Sequence, residues 1–380
     1  MSGLSDRNDI NAVNYKLQLD EKLKNLQLLL SDYDLPKLKV FKSPIRNFRM
    51  RAEFRIWHED NIAHYAMNYP GENKVYLVDN YPIGSIQIKK VMKPLLKMIN
   101  MNDLLKYRLF TIEFLSSQQN ELLVTLIYHK ALDSKWTKAA ESIREKLKIN
   151  IIGRSRKQKL VVGESYISEI LRVNNKTYYF QIPENCFSQP NTSVNKKIIS
   201  WIENIIPSHV KSKDALELYC GIGNFTMMLS KKFRWILATE VSKLSLETAK
   251  INQLKNEARN IQFARLSSKE TYQAMTGFRK FRRLKDIDLK KYEFEYIFVD
   301  PPRSGLDDQT LNLVKHFSNI IYISCNPKTL EKNLNYLLKT HQIKSLAAFD
   351  QFPWTNHLET GVWLSKSDNF KGDAADHLKI

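Results

Sequence analysis

Residues 217–225, Glu217-Leu-Tyr-Cys-Gly-Ile-Gly-Asn-Phe225, end the apolar run that starts at Ala215 and lead through two glycines into a helical pattern. The chain holds only eleven glycines in 380 residues. Two within three positions therefore mark a place where backbone adopts positive φ or meets a ligand closely. A G-x-G turn alone is weak evidence and is often only a tight turn. The full dinucleotide pattern G-x-G-x-x-G is absent, and Met227 follows where small residues would be expected. Glu240 ends the next apolar run at a spacing suited to clasping ribose hydroxyls. The E-x-x-x-G-x-G spacing with a ribose carboxylate suits S-adenosylmethionine better than NAD, with Gly221 and Gly223 forming the cofactor turn.

Around this turn, short apolar runs alternate with helical patterns at 215–220, 235–240, 261–266, 295–300, 320–325, 345–350 and 362–366. Such alternation predicts an α/β fold with a mostly parallel, doubly wound sheet. The last two runs have no helix between them and fit an antiparallel edge hairpin. Ligands of such sheets bind at the carboxyl ends of the strands. Three further motifs fall there.

The first is Ile323-Ser-Cys325-Asn-Pro327, a cysteine between a buried strand and a helix predicted over 328–338. Asn326 can cap that helix and Pro327 fits its first turn, so the sulfur sits at a helix N-terminus, which favours thiolate. A lone cysteine at a strand end is more often a buried structural thiol; its neighbours argue otherwise. The second is Asp300-Pro-Pro-Arg303-Ser-Gly305. Its prolines stiffen the loop, and Arg303 supplies a cation for a thiolate or a developing enolate, or is simply a surface arginine. The third is Asp350-Gln-Phe-Pro-Trp-Thr-Asn-His357-Leu-Glu359. His357 and Glu359 lack a third ligand at suggestive spacing, so no metal is expected. Glu359 is a candidate base opposite the cysteine, or a solvated loop charge.

The first 180 residues read differently. An amphipathic helix is expected over 12–31, then a strand over 48–58 with a charged outer face, pairing with 62–67 and 74–79. Strands at 109–115 and 122–129 and helices at 83–100 and 135–147 complete an α+β reading. The expected units are residues 1–180, for RNA recognition, and residues 181–380, for catalysis. Net charge of +19 points to a polyanionic partner, although Lys- and Asn-rich coding bias would raise it too. Arg51, Arg55, Phe110 and His129 are candidate base contacts, with Arg154, Arg156 and Lys157 for phosphates. The Phe110, Ile112, Phe114 stripe reads more readily as core, and the basic run 279–283 as a solvated face.

Three cysteines, widely spaced, make neither a disulfide framework nor an iron–sulfur site. With no signal-peptide pattern and no long apolar run, a soluble cytoplasmic monomer is expected. The tail after Lys366 reads as polar and frayed.

Taken in order, SPIRNFRMRAEFRIWH, ENCFSQPN, ELYCGIGNF, FVDPPRSGL, YISCNP and DQFPWTNHLE resemble the signatures of the bacterial tRNA (uracil-5-)-methyltransferase family over nearly the whole chain. The resemblance implies a Rossmann-like catalytic domain using S-adenosyl-L-methionine, contacted by Gln189, Tyr219, Asn224, Glu240 and Asp300. It implies Cys325 as nucleophile, Glu359 as proton acceptor, and the T-arm of tRNA, at uridine 54, as substrate. Ribosomal-RNA relatives commonly add a β-barrel and a four-cysteine cluster, which this chain lacks. The alternatives are a ribosomal-RNA uridine methyltransferase and a non-catalytic tRNA-binding or folding module.

Overall fold

The computed structural model describes residues 10–69, 71–72 and 74–367. The frayed tail expected after Lys366 falls almost wholly outside them. The chain begins with α1 (Ala12–Leu29) and a short β1 (Lys39–Phe41). An α+β unit follows: β2 (Arg51–Glu59), β3 (Ile62–Asn68), β4 (Val75–Leu77), α2 (Ile86–Asn100), α3 (Asp103–Lys106), β5 (Leu109–Ser116), β6 (Leu122–Tyr128), α4 (Ser134–Leu147), β7 (Asn150–Ser155) and β8 (Gln158–Val162). A hairpin, β9 (Tyr166–Val173) and β10 (Lys176–Pro183), leads into α5 (Thr192–Ile205). The α/β unit then runs β11 (Asp214–Leu218), α6 (Thr226–Leu229), β12 (Ile236–Thr239), α7 (Lys243–Lys255), β13 (Ile261–Ala264), α8 (Ser268–Met275), β14 (Phe294–Val299) and α9 (Asp308–Val314). It ends with β15 (Asn319–Ser324), α10 (Pro327–Leu337), β16 (His341–Phe349) and β17 (Glu359–Lys366).

The first sheet has the order β4-β3-β2-β5-β6-β7-β8. Along β2 the expected alternation holds: Ala52, Phe54 and Ile56 are buried while Glu53, Arg55 and Trp57 are exposed. β4 pairs with β3, not with β2 as expected, because β5 occupies β2's other edge. Strands β7 to β10 were not anticipated; their mixed polar composition hides the period-two signal.

The second sheet has the order β1-β16-β17-β15-β14-β11-β12-β13 and is parallel except for β17. The antiparallel final pair is present, and β1 adds a parallel strand outside it at Lys39–Ala347 to Phe41–Phe349. Strand order reverses between β11 and β14, which opens a crevice at their carboxyl ends.

Hydrophobic clusters cover both faces of this sheet. Leu26 and Leu30 from the N-terminus join Leu216, Ile297 and Ile320 on one face. Leu171, Tyr178 and Phe180 join Trp201 and Phe349 on the other. α1 and β9–β10 thus share their hydrophobic clusters with the second sheet.

Candidate active site

Ser324 pairs with Thr360 across antiparallel β15 and β17. Cys325 and Glu359 each flank that pair, which ends the ladder, and the two groups interact electrostatically. Asn326 caps α10, its side chain accepting from the Lys328 amide at 3.2 Å, with Pro327 in the first turn as expected. The Arg303 carbonyl accepts from Asn326 Nδ2 at 3.1 Å and Thr329 Oγ1 at 3.2 Å, which ties the D-P-P-R loop to the cysteine loop. The exposed Arg303 guanidinium lies 3.4 Å from His357 Nε2.

Electrostatics depart from the expectation of a ready thiolate. Burial, then Glu359 and Asp300, push the Cys325 thiol up to about 11, against Arg303, which lowers it. A helix N-terminus contributes only about 0.3–1 kcal/mol, less than one pKa unit, and is outweighed. Glu359 is 3% exposed. Burial and then Asp300 hold its carboxyl well above the carboxylate range, opposed by Arg303. Asp300 is itself raised to about 7 by burial. Behind it, Glu217 on β11 is 1% exposed and raised to about 8, by burial and then by Asp300. Burial thus favours the neutral forms of the three acids and of the thiol.

The crevice between β11 and β14 holds the glycine turn. Tyr219, Gly221 and Gly223 all have positive φ, at 59°, 55° and 86°. A Cβ at Gly221 would meet nothing within 4 Å, so open space lies over the turn, whereas one at Gly223 would strike Met227 Cε at 2.8 Å. Glu240 at the end of β12 accepts from the Gly221 amide at 3.0 Å and the Ser242 amide at 2.7 Å. Gln189 Nε2 donates to Asp300 Oδ2 at 3.4 Å, and Gln351 Nε2 donates to Gln189 Oε1 at 2.6 Å. Asn224 exchanges two amide hydrogen bonds with Asn195, at 2.8 and 3.0 Å. Open space at a glycine and a carboxylate at the next strand end fit a ribose-bearing ligand.

The family model described as tRNA (uracil-5-)-methyltransferase matches residues 14–367. The chain is 47% identical over 358 residues to the tRNA/tmRNA (uracil-C(5))-methyltransferase of Cellvibrio japonicus, covering 94% of this chain and 97% of that one. It is 48% identical to the Acinetobacter baylyi protein of the same name, covering 92% and 98%. The chain belongs to the tRNA (uracil-5-)-methyltransferase family. It is thus an S-adenosylmethionine-dependent methyltransferase. A solved structure described as the Pyrococcus abyssi tRNA (uracil-54, C5)-methyltransferase with S-adenosyl-L-homocysteine shares the fold at TM-score 0.70 and 21% identity, covering 92% of this chain and 83% of that one.

The methyltransferase carries a second cavity on its N-terminal sheet, of about 820 Å³, lined by Arg55, Tyr107, Arg108, Phe110 and His129 among others. A bulge between Leu109 and Thr111 turns Phe110 away from the buried Ile112 and Phe114. Phe110 stacks on His129 with centroids 4.3 Å apart, and the Arg55 guanidinium lies 5.7 Å from its ring. Arg51 departs from its expected place on an RNA face. Its guanidinium is turned inward, donating to the carbonyls of Glu184 at 3.0 Å and Cys186 at 2.7 Å. Arg154 is likewise ion-paired with the buried Glu184, while Arg156 and Lys157 are exposed at a turn.

Two contributors escaped the sequence reading. Lys22 is 7% exposed and pairs with the fully buried Asp350 at 2.7 Å, while donating to the Phe352 carbonyl at 3.0 Å. The signal was there: a lysine in the stripe Tyr15, Leu19, Lys22, Leu26 needs a buried anion. Gln351 gave none, since nothing local distinguishes a buried glutamine from a loop one.

Proposed function

We propose that this methyltransferase transfers a methyl group to carbon 5 of uridine 54 in the T-arm of tRNA, acting as a cytoplasmic monomer. The observation that carries the reading is that Cys325 and Glu359 flank the Ser324–Thr360 pair and interact with each other and with Asp300. Asp300 follows β14, the neighbour of the strand that leads into the glycine turn. Carbon 5 of uracil is a weak nucleophile. Attack of the Cys325 sulfur on carbon 6 forms a C–S bond and moves the ring electrons toward O4, making an enolate nucleophilic at carbon 5. Arg303 favours the ionised sulfur, as its lowering of the thiol pKa indicates.

Gln189, Tyr219, Gly221, Gly223, Asn224, Glu240 and Asp300 would hold S-adenosyl-L-methionine, which supplies an electrophilic methyl when bound. Glu359 then takes the proton from carbon 5. The electrons of that C–H bond restore the ring double bond and expel the Cys325 sulfur. Burial that raises the Glu359 pKa makes its ionised form a stronger base for this step. The target must leave its stack to reach Cys325, and loop bases do so at least cost. Arg55, Phe110 and His129 offer a stacking platform for the arm.

Labelled methyl transfer to tRNA transcripts, with position 54 as uridine or cytidine, tests the proposal. Label that requires the uridine is expected. Label confined to ribosomal RNA would replace the substrate while leaving the chemistry, and tRNA binding without label would leave only a binding module.

A further inference from the structure

Gln351 follows β16 and is fully buried, at 0% exposure. Its main chain is tied on both sides. The amide donates to the Phe349 carbonyl at 2.8 Å, and the carbonyl accepts from Asn191 Nδ2 at 3.4 Å. Among the described residues its side chain has one partner, Gln189, to whose Oε1 it donates from Nε2 at 2.6 Å. Its own Oε1 is buried without a partner. A buried carbonyl left unpaired costs free energy that a methionine or leucine of similar size does not. Packing alone therefore does not account for a glutamine at this position. Its donor does.

The recipient, Gln189, is half-buried and has a second partner, since its Nε2 donates to Asp300 Oδ2 at 3.4 Å. With Ile222 and Asn224 of the glycine turn it also lines a small cavity. A carboxamide is nearly symmetric in shape, so steric fit does not decide which end faces Asp300. Ionised Asp300 only accepts, which draws the nitrogen toward it. Burial favours the neutral acid, however, and that form can donate to a reversed carboxamide. Asp300 alone thus leaves Gln189 two directions. The Gln351 donor removes the second, because reversal sets nitrogen against nitrogen unless Gln351 turns as well. Turning it would bury two unpaired N–H bonds in place of one carbonyl oxygen, the costlier arrangement.

We propose that Gln351 is a positioning residue for cofactor binding, holding the Gln189 carboxamide in a single direction, nitrogen toward Asp300, before S-adenosylmethionine arrives. The inference rests on the reading of Gln189 and Asp300 as cofactor contacts. A site oriented in advance binds with its intrinsic affinity, whereas one that populates two directions loses affinity in proportion to the misdirected fraction. Once cofactor is bound the direction is set in either case, so the rate of methyl transfer is unaffected.

The test is a double-mutant cycle between Gln351→Met and Gln189→Met. Kd for S-adenosylmethionine is read by isothermal titration, and kcat with cofactor and tRNA both saturating. Gln351→Met should raise Kd about 3- to 10-fold and leave kcat within about twofold. In the Gln189→Met background the same substitution should change Kd by less than about twofold, because the group it orients is gone. Gln351→Leu, with urea midpoints measured for every variant, should give the same Kd shift at near wild-type stability. Equal Kd shifts in both backgrounds would overturn the inference while leaving the cofactor reading standing. So would a wild-type Kd in Gln351→Met when Gln189→Met binds more weakly. A wild-type Kd in Gln189→Met would overturn the reading of Gln189 as a cofactor contact, and the inference with it.

Discussion

Cys325 and Glu359 flank the Ser324–Thr360 pair that ends the β15–β17 ladder, and the Glu359 carboxyl raises the Cys325 thiol. Glu359 is itself paired with Phe349 of β16. A nucleophile and a base fixed this way can act on adjacent ring carbons without rearrangement.

The pH dependence of the reaction follows from the two raised groups. The thiol sits near 11 and Glu359 well above its usual range, so both reactive ionised forms grow as pH rises. We expect kcat/KM to rise by about tenfold per pH unit between roughly pH 6 and 9 while one group limits. Arg303→Gln should shift the profile to higher pH and lower the rate about 10²-fold. A flat profile over that window would contradict the protonated resting site.

Glu217 makes a stability prediction with a definite sign. Its folded pKa of about 8 lies above the unfolded carboxylate value, so the folded state binds the extra proton between about pH 4.5 and 8. Stability from this group is complete below the unfolded pKa and falls as pH rises, by at most about 1.4 kcal/mol per unit. Glu217→Gln should flatten that fall in urea titrations at pH 5 and pH 8. An unchanged slope would place the proton elsewhere.

The Lys22–Asp350 pair is buried on both sides, so removing one partner leaves an uncompensated charge. Lys22→Met should cost about 3–5 kcal/mol in urea unfolding, and the Lys22→Met/Asp350→Leu double variant should recover most of it. Equal losses in single and double variants would show packing, not charge, to be the source.

On the N-terminal sheet, Phe110→Ala should weaken tRNA binding by roughly 1–3 kcal/mol while leaving S-adenosylmethionine binding unchanged. Arg55→Ala should in addition reduce the salt dependence of binding by about one phosphate equivalent. Isothermal titration with each ligand separates the two effects.

Much of this arrangement was legible beforehand because it rests on local signals. The glycine turn, the capped α10 with Pro327 and the strand ends carrying Asp300 and Cys325 each follow from a few neighbouring residues. Glu359, read in a loop before a strand at 362–366, is instead the buried first residue of β17. What was not legible depends on long-range packing. That β1 would join β16, that Lys22 would meet a partner 328 residues away and that Arg51 would turn inward are decided by tertiary burial. The bulge that frees Phe110 from the stripe of Ile112 and Phe114 is likewise set by β6. The thiol's raised pKa is the most instructive difference. The helix N-terminus was visible in sequence, whereas the two acids and the burial that outweigh it became visible only in three dimensions.

The most direct test of the central claim is to trap the enzyme on a T-arm transcript with labelled S-adenosylmethionine and separate products in denaturant. Cys325→Ala should show neither adduct nor methylated RNA, a loss on the order of 10⁴-fold or more. Glu359→Gln should form an adduct that accumulates, with release slowed about 10²- to 10⁴-fold. Methylated RNA from Cys325→Ala, or normal release by Glu359→Gln, would contradict the account.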